Sequence, residues 1–168
     1  FVDELERTTE AEVITRPVPG ESPCDALDTM RDDLALEPTV VVIQYVGNNA
    51  SPCMAGDDGR PLTGEALVDR VTADVRTAAE LFATTGTRVV LVGGPHAPGL
   101  PAGDATLDVA DAYLRIVNEW DGELGRIRYA DAAATVTGPD GRFAERLPCR
   151  DGEGADEGCA GGEVVVRS

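Results

Sequence analysis

The sequence predicts an α/β fold, in which helices cover both faces of a parallel sheet within one domain. Segments with strand character alternate with amphipathic segments along the whole chain, and neither a repeat nor a linker interrupts the alternation. The segment Thr39 to Val46 is apolar at nearly every position, which is typical of a strand buried on both faces. A chain of 168 residues has the length of one ordinary domain.

Four short segments rich in apolar and β-branched residues predict the strands of this sheet. In chain order they are Ala11 to Val18, Thr39 to Val46, Arg88 to Val92 and Arg126 to Ala130. Pro17 and Pro19 end the first of them. After Asp131 the sequence predicts mostly loop, as far as a last extended segment from Glu163 to Arg167.

Apolar residues at helical spacing predict the helices. The helical segments are Phe1 to Glu10, Cys24 to Leu36, a long helix that begins after Thr63 and ends before Gly86, and a helix through Val109 and Trp120 that Gly122 closes. Thr63 has a residue type preferred at an N-cap, and glycine is the type preferred just after a helix. Helices between successive strands imply parallel pairing through right-handed crossovers.

The charge and hydropathy of the chain limit its partners. Its net charge is -17 at pH 7. Nucleic acids and anionic membrane surfaces would repel such a chain, so we expect neither as a partner. No apolar run approaches the roughly 20 residues that a membrane-spanning helix needs, so we predict no membrane span.

The four cysteines, Cys24, Cys53, Cys149 and Cys159, are spaced too widely and irregularly for a zinc site, and the chain has a single histidine. An even number in acidic, Gly-rich surroundings favours two disulfides over buried free thiols, and therefore an extracytoplasmic location. Among the possible pairings we favour Cys24 with Cys53, which would join two turns at one edge of the sheet. Cys149 with Cys159 would then close a short acidic loop.

Polar residues follow the apolar strand directly, as Gly47, Asn48 and Asn49. In open α/β sheets, ligands bind beyond the carboxyl ends of the strands. Neutral amide donors in that position are suited to an anion or to the oxyanion of a tetrahedral intermediate. Asn48 and Asn49 are therefore candidate binding residues.

Four short motifs resemble those of one enzyme family. They are Arg16 to Cys24, with sequence RPVPGESPC, Gln44 to Cys53, with sequence QYVGNNASPC, Leu91 to Pro95 and Leu147 to Cys149. In this order they resemble the secreted branch of the SGNH, or GDSL-type, hydrolases, which are esterases and lipases with a flavodoxin-like, three-layer α/β/α fold. The resemblance covers nearly the whole chain through the order of its elements, whereas each motif alone is short.

In that family four blocks supply the active site: a Gly-Asp-Ser nucleophile, a Gly, an Asn and a C-terminal Asp-x-x-His. The resemblance matches Gly20 to the second block and Asn48 to the third, with Asn49 where the family often has Asp. It implies that Gly20 gives a backbone N–H, and Asn48 a side-chain amide, to the oxyanion hole. If the register shifts by one residue, Asn49 takes that role.

The outer two blocks have no match in the sequence. No Gly-Asp-Ser occurs, and the histidine, His96, does not follow the Asp-x-x pattern. We therefore expect one SGNH-like domain over residues 1–168 that is truncated at both ends and lacks its first strand. The position of that strand, between Ala11 to Val18 and Thr39 to Val46, would be vacant. The alternative is an intact non-catalytic relative.

The resemblance implies a secreted or cell-surface ester hydrolase acting, without a cofactor, on acyl or acetyl esters of lipid or carbohydrate. The chain alone would lack the nucleophile and the His/Asp dyad. A second hypothesis is an extracellular binding domain on the same scaffold, whose rim holds a small polar ligand. We expect His96 and Asn49 to line the rim. A triad of His96 with Ser22 or Ser51 is disfavoured, because neither serine lies on a strand-to-helix elbow.

Acidic residues cluster near the C-terminus, at Asp151, Glu153, Asp156 and Glu157. Carboxylates of this kind can hold Ca²⁺, but their spacing matches no calcium loop. We expect a solvated loop clipped by a disulfide, and turn chemistry at Asp57-Asp58-Gly59. The sequence predicts no metal site.

Overall fold

The computed structural model describes residues 7, 9, 11–16, 18–45, 48–94, 103–122, 125–137, 144–149, 154 and 158–165. For residues 103–108 it describes the backbone only. Three strands form a parallel sheet in the order β1 (Val40–Ile43), β2 (Arg88–Gly93) and β3 (Ile127–Asp131). The helices are α1 (Pro23–Asp33), α2 (Gly64–Ala83) and α3 (Gly103–Glu119). Short 3-10 turns span Leu34–Leu36, Pro52–Met54 and Ala133–Val136.

The parallel sheet confirms the predicted α/β class. A helix separates each strand from the next, with α2 between β1 and β2 and α3 between β2 and β3. This is the alternation that parallel pairing requires, because a strand must cross back before it can pair in the same direction. Among the helices described, none is both long enough and apolar enough to cross a membrane.

Helices α2 and α3 pack on one face of the sheet. Both α2 and α3 contact β2 and each other, and α1 packs on α2. The strand residues that face them alternate along each strand, as a pleated sheet demands. The core contains the buried residues Ile43, Val71, Val75, Phe82, Val89, Leu91, Tyr113, Ile116 and Ile127. In the sequence, Val68, Val71, Val75, Ala78 and Phe82 recur at helical spacing. The last four are confirmed as buried residues of α2, and Val68 is partly buried.

The opposite face of the sheet has no cover within the described part of the chain. Val40 and Val42 are 43% and 45% exposed. Val90 and Val92 beside them are half-buried. The prediction that the strand from Thr39 is buried on both faces is therefore wrong for the residues described. This face is buried only if another element packs against it, and the composition of the strand does not show whether such an element is present.

The predicted strand Ala11 to Val18 is also wrong over its described residues. Residues 11–16 and 18 form no strand, and all but Val13 are exposed. In the described ranges, β1 pairs with β2 alone, so this segment is not bonded to β1. A strand is stable only beside a neighbour that accepts its hydrogen bonds. The helix predicted over Phe1 to Glu10 lies outside the described residues except at Arg7 and Thr9.

A second, smaller sheet follows the first. Strands β4 (Arg146–Pro148), β5 (Cys159–Ala160) and β6 (Glu163–Val165) are antiparallel in the order β4-β6-β5. The final extended segment was predicted, whereas β4 and β5 were predicted as loop. Gly161 and Gly162 join β5 to β6, both with positive φ, the conformation of a two-residue hairpin turn.

Because one face of the sheet is uncovered, two Val→Ala substitutions are expected to lower the free energy of unfolding by different amounts. Val89→Ala removes methyl groups from a fully buried position and is expected to lower the free energy of unfolding by about 2 kcal/mol. Val42→Ala is expected to cost less than about 1 kcal/mol, because its side chain is already 45% exposed. Urea denaturation of both variants measures the difference. Equal costs would show that another part of the protein covers Val42.

Candidate functional site

The carboxyl end of β1 is held by a side chain from α3. Ladder pairing of β1 with β2 ends at Ile43, opposite Leu91. Beyond it, the Tyr113 hydroxyl donates to the carbonyl oxygen of Tyr45 at 3.0 Å and accepts from the Tyr45 N–H at 3.2 Å. Tyr113 is fully buried. One phenol hydroxyl thus bonds both the N–H and the carbonyl of Tyr45, a residue beyond the hydrogen-bonded part of β1.

Gly20 and Asn48 meet beyond this strand end. The Asn48 side-chain amide donates to the carbonyl oxygen of Gly20, across 28 residues of sequence. Gly20 lies in a turn closed by a hydrogen bond from the N–H of Glu21 to the carbonyl of Val18 at 3.1 Å, and its φ is 79°. A β-carbon at residue 20 would meet no atom within 4 Å, so backbone conformation, and not crowding within the protein, requires this glycine.

Two uncharged donors remain at this contact. A primary amide has two N–H groups, so Asn48 keeps one after its bond to Gly20. The Gly20 N–H has no acceptor among the residues described. Each of these groups is a donor able to bind an acceptor oxygen.

Asn49 has a different part in the structure. Its amide donates to the carbonyl oxygen of Leu62 at 2.8 Å. The Leu62 N–H in turn donates to the carbonyl of Met54 at 2.8 Å. Asn49 therefore joins the turn after β1 to the loop over Met54 to Leu62, whereas Asn48 contacts Gly20. His96, the other predicted rim residue, lies outside the described residues.

The start of α1 contributes groups that sequence reasoning missed. The buried Ser22 hydroxyl donates to the main-chain oxygen of Asn48 at 2.9 Å. The Asp25 carboxylate accepts from the Ser22 N–H at 3.0 Å and from the Ser51 hydroxyl at 2.6 Å. The signal for this N-terminus was present in the sequence, because Ser22 and Asp25 have the S-x-x-D spacing of a capping box.

Both disulfides that we favoured are confirmed. Cys24 is bonded to Cys53 with their Cα atoms 6.2 Å apart, which fastens α1 to the turn after Asn49. Cys149 is bonded to Cys159 with a Cα separation of 5.8 Å, which joins β4 to β5. In the described ranges, the one group of three potential metal ligands is Cys24, Asp25 and Cys53. Its two sulfurs are bonded to each other, so it offers no thiolate to a metal.

The serines near the strand end are hydrogen-bonded to structural partners. Ser22 is fully buried against the Asn48 carbonyl, and Ser51 donates to Asp25. His96, the third member of the disfavoured triad, lies outside the described residues. The acidic residues Asp151, Glu153, Asp156 and Glu157 lie outside the described residues.

Tyrosines and carboxylates set the electrostatics near the strand end. Burial, with further contributions from Glu21 and Asp25, raises the pKa of Tyr45 to about 12. Burial also raises the pKa of Tyr113 well above its usual range. Both phenols are therefore neutral at pH 7, while the carboxylates of Glu21 and Asp25 give the surroundings a negative potential.

No protein-family model matches the chain, and no curated protein matches it. Function is therefore inferred from this chain's own residues, and above all from the contact of Gly20 with Asn48.

The two disulfides predict unequal losses of stability. The Cys24–Cys53 bridge spans 29 residues of sequence and Cys149–Cys159 spans 10. On chain-entropy grounds, replacing Cys24 and Cys53 with Ser is expected to lower the free energy of unfolding by about 3.5 kcal/mol. Replacing Cys149 and Cys159 is expected to cost about 2.5 kcal/mol, and serves as the control. Urea denaturation of the two double variants measures both losses, and a larger loss for the shorter loop would contradict the argument.

The raised tyrosine pKa values predict alkaline instability. A phenol whose folded pKa exceeds its unfolded pKa contributes stability that is fully present below the unfolded value, about 10, and is lost as pH rises through the folded value. For Tyr45 the loss is expected between about pH 10 and about pH 12. Ultraviolet titration of tyrosinate measures this. The native protein should ionise at higher pH than the urea-unfolded chain, and coincident curves would contradict the assignment.

Proposed function

We propose that this chain is the body of a secreted serine ester hydrolase of SGNH type, with Gly20 and Asn48 as oxyanion donors. One observation carries the proposal. Two residues that the motif resemblance matches to separate blocks, 28 positions apart, are in hydrogen-bonded contact beyond the carboxyl end of a parallel strand. That end of an open α/β sheet is where ligands bind.

The donors at this contact suit acyl transfer. A tetrahedral intermediate places negative charge on one oxygen, and fixed N–H groups stabilise that charge at little reorganisation cost. The Gly20 N–H and the second N–H of Asn48 are uncharged, so they do not need a counter-ion of their own. Each such donor contributes about 3 kcal/mol to lowering the barrier in enzymes of this kind.

The local charge favours a neutral substrate. Glu21 follows Gly20 directly, and Asp25 accepts hydrogen bonds from Ser22 and Ser51 in the same region. Their carboxylates repel a ligand that is permanently anionic. A neutral ester of a lipid or carbohydrate is compatible with this potential. Its developing oxyanion would be balanced by the imidazolium of the catalytic histidine.

The proposal assigns the nucleophile and the His/Asp dyad to segments outside these 168 residues. The sequence contains neither Gly-Asp-Ser nor Asp-x-x-His, and the hydroxyls of Ser22 and Ser51 are committed to structural bonds. A three-layer, flavodoxin-like domain would add a strand beside β1 and helices over Val40 and Val42. The unpaired edge of β1 and the exposure of those valines, among the described residues, support that completion.

An extracytoplasmic location is part of the proposal. Two disulfides persist most readily in an oxidising compartment, since cytosolic reductants keep thiols reduced. Secretion also fits an enzyme that would meet lipid or glycan esters outside the cell.

The proposal predicts that activity needs the flanking blocks. The 168-residue chain is expected to hydrolyse p-nitrophenyl acetate no faster than buffer does, because it lacks the covalent route. A longer form that carries Gly-Asp-Ser before residue 1 and Asp-x-x-His after residue 168 is expected to hydrolyse it. Initial rates of both proteins test this. A longer form that binds the ester without turnover would favour the extracellular binding domain.

In the active longer form, Asn48→Ala is expected to lower kcat by about 10²-fold with little change in KM, because the lost interaction forms chiefly in the transition state. Asn49→Ala is the matched control. It removes the bond to the Leu62 carbonyl and should lower thermal stability while leaving kcat within a few-fold of the parent value. The opposite ranking of the two kcat values would move the oxyanion role to Asn49.

A further inference from the structure

We infer that two buried hydroxyls, those of Ser22 and Tyr113, are positioning residues for the Asn48 amide. The inference rests on the proposed function, because it assigns these side chains a part in aligning the same oxyanion donor. Neither residue carries a role in the motif resemblance. Both act through the main chain of the segment that leads into and through the Asn48 turn.

Tyr113 fixes the chain before the turn. The ladder of β1 with β2 stops at Ile43, and the next hydrogen bonds of the strand are the pair from Tyr45 to the Tyr113 hydroxyl, at 3.0 and 3.2 Å. A neighbouring strand would normally supply those two bonds. Here a fully buried side chain of α3 supplies both, so the position of α3 sets where the chain leaves the sheet, three residues before Asn48.

Ser22 fixes the turn itself. Its hydroxyl donates to the main-chain oxygen of Asn48 at 2.9 Å, and its side chain is fully buried. Its own N–H is bonded to Asp25 at 3.0 Å, which holds it at the start of α1. Ser22 also lies two residues after Gly20. It therefore fixes the Asn48 peptide relative to the other proposed oxyanion donor.

The consequence of losing either hydroxyl is a change in alignment. Without the Ser22 hydroxyl the partly buried Asn48 carbonyl has lost its donor, and without the Tyr113 hydroxyl both main-chain polar groups of Tyr45 have lost their partner. A buried polar group without a partner is unfavourable, so the local chain is expected to rotate toward water or another partner. Oxyanion stabilisation depends on donors held in place before the reaction, and small displacements reduce it sharply.

The chain offers a matched control for each substitution. Thr87 is buried, and its hydroxyl donates to the carbonyl of Pro38 at 2.9 Å, at the amino end of the sheet. Thr87→Val therefore removes the same kind of bond as Ser22→Ala, away from the site. Tyr129 places its hydroxyl beside Gly93, so Tyr129→Phe makes the same substitution as Tyr113→Phe without removing a bond to Tyr45.

The first experiment needs only the 168-residue chain. Nuclear magnetic resonance follows the side-chain amide of Asn48 in the four single variants. Ser22→Ala and Tyr113→Phe are each expected to shift the Asn48 amide resonances. Tyr113→Phe is also expected to speed hydrogen exchange of the Tyr45 N–H. Thr87→Val and Tyr129→Phe should leave both unchanged. Unmoved Asn48 resonances in the first pair, or equal shifts in the control pair, would overturn the inference.

The second experiment uses the longer, active form. Ser22→Ala and Tyr113→Phe are each expected to lower kcat by about tenfold with KM unchanged, as expected when one buried bond that aligns a transition-state donor is lost. Thr87→Val should lower stability about as much as Ser22→Ala, and both control variants should keep the parent kcat. Shifted Asn48 resonances with a normal kcat would overturn the positioning role. An inactive parent protein would instead refute the proposed function, while the resonance experiment would still decide whether the hydroxyls orient Asn48.

Discussion

Burial of β2 is the constraint on which the remaining structure depends. In the described sheet, β2 is the strand that is hydrogen-bonded on both sides, and its residues Val89 and Leu91 are fully buried against α2 and α3. Non-polar burial on this scale is the main favourable contribution to folding. Because it fixes the helices against the strands, groups from α1 and α3 can reach the carboxyl end of β1 with defined geometry.

The region beyond β1 combines uncharged hydrogen-bonding groups with carboxylates nearby. Asn48, Ser22 and Tyr113 are neutral and linked through main-chain atoms, so the turn keeps its shape without an ion pair. Asp25 joins α1 to Ser51, and the neighbouring Cys24–Cys53 bridge makes the same connection covalently. The turn is therefore fixed from α1, from α3 and from the loop that follows it. Fixed polar groups of this kind are compatible with the proposed oxyanion role of Asn48.

Sequence reasoning succeeded where the determining interactions are local. The apolar stripe of α2 follows from spacing within one helix, and the strands at Val40–Ile43, Arg88–Gly93 and Ile127–Asp131 follow from composition between turns. It also singled out Gly20 and Asn48, which the structure brings into contact, and it favoured the disulfide pairs that the structure contains.

It failed where the outcome depends on distant parts of the chain. Residues 11–16 have strand composition, but no described strand lies beside them. Exposure of Val40 and Val42 depends on what packs against them, and the contact of Tyr113 with Tyr45 joins residues 68 positions apart. Strands β4 and β5 are too short for their composition to identify them as strands. The Gly161-Gly162 pair between β5 and β6 is nevertheless a recognisable hairpin signal.

The outer edge of β1, which has no partner among the residues described, bears on how copies of this chain behave in solution. An unpaired edge is a template for intermolecular pairing. The net charge of -17 opposes that approach through long-range repulsion between copies. This repulsion extends over a Debye length of about 30 Å at 0.01 M salt, but only about 8 Å at 0.15 M. The resistance of the chain to association through this edge therefore depends on ionic strength. Repulsion between copies is strong in dilute buffer, and physiological salt screens most of it.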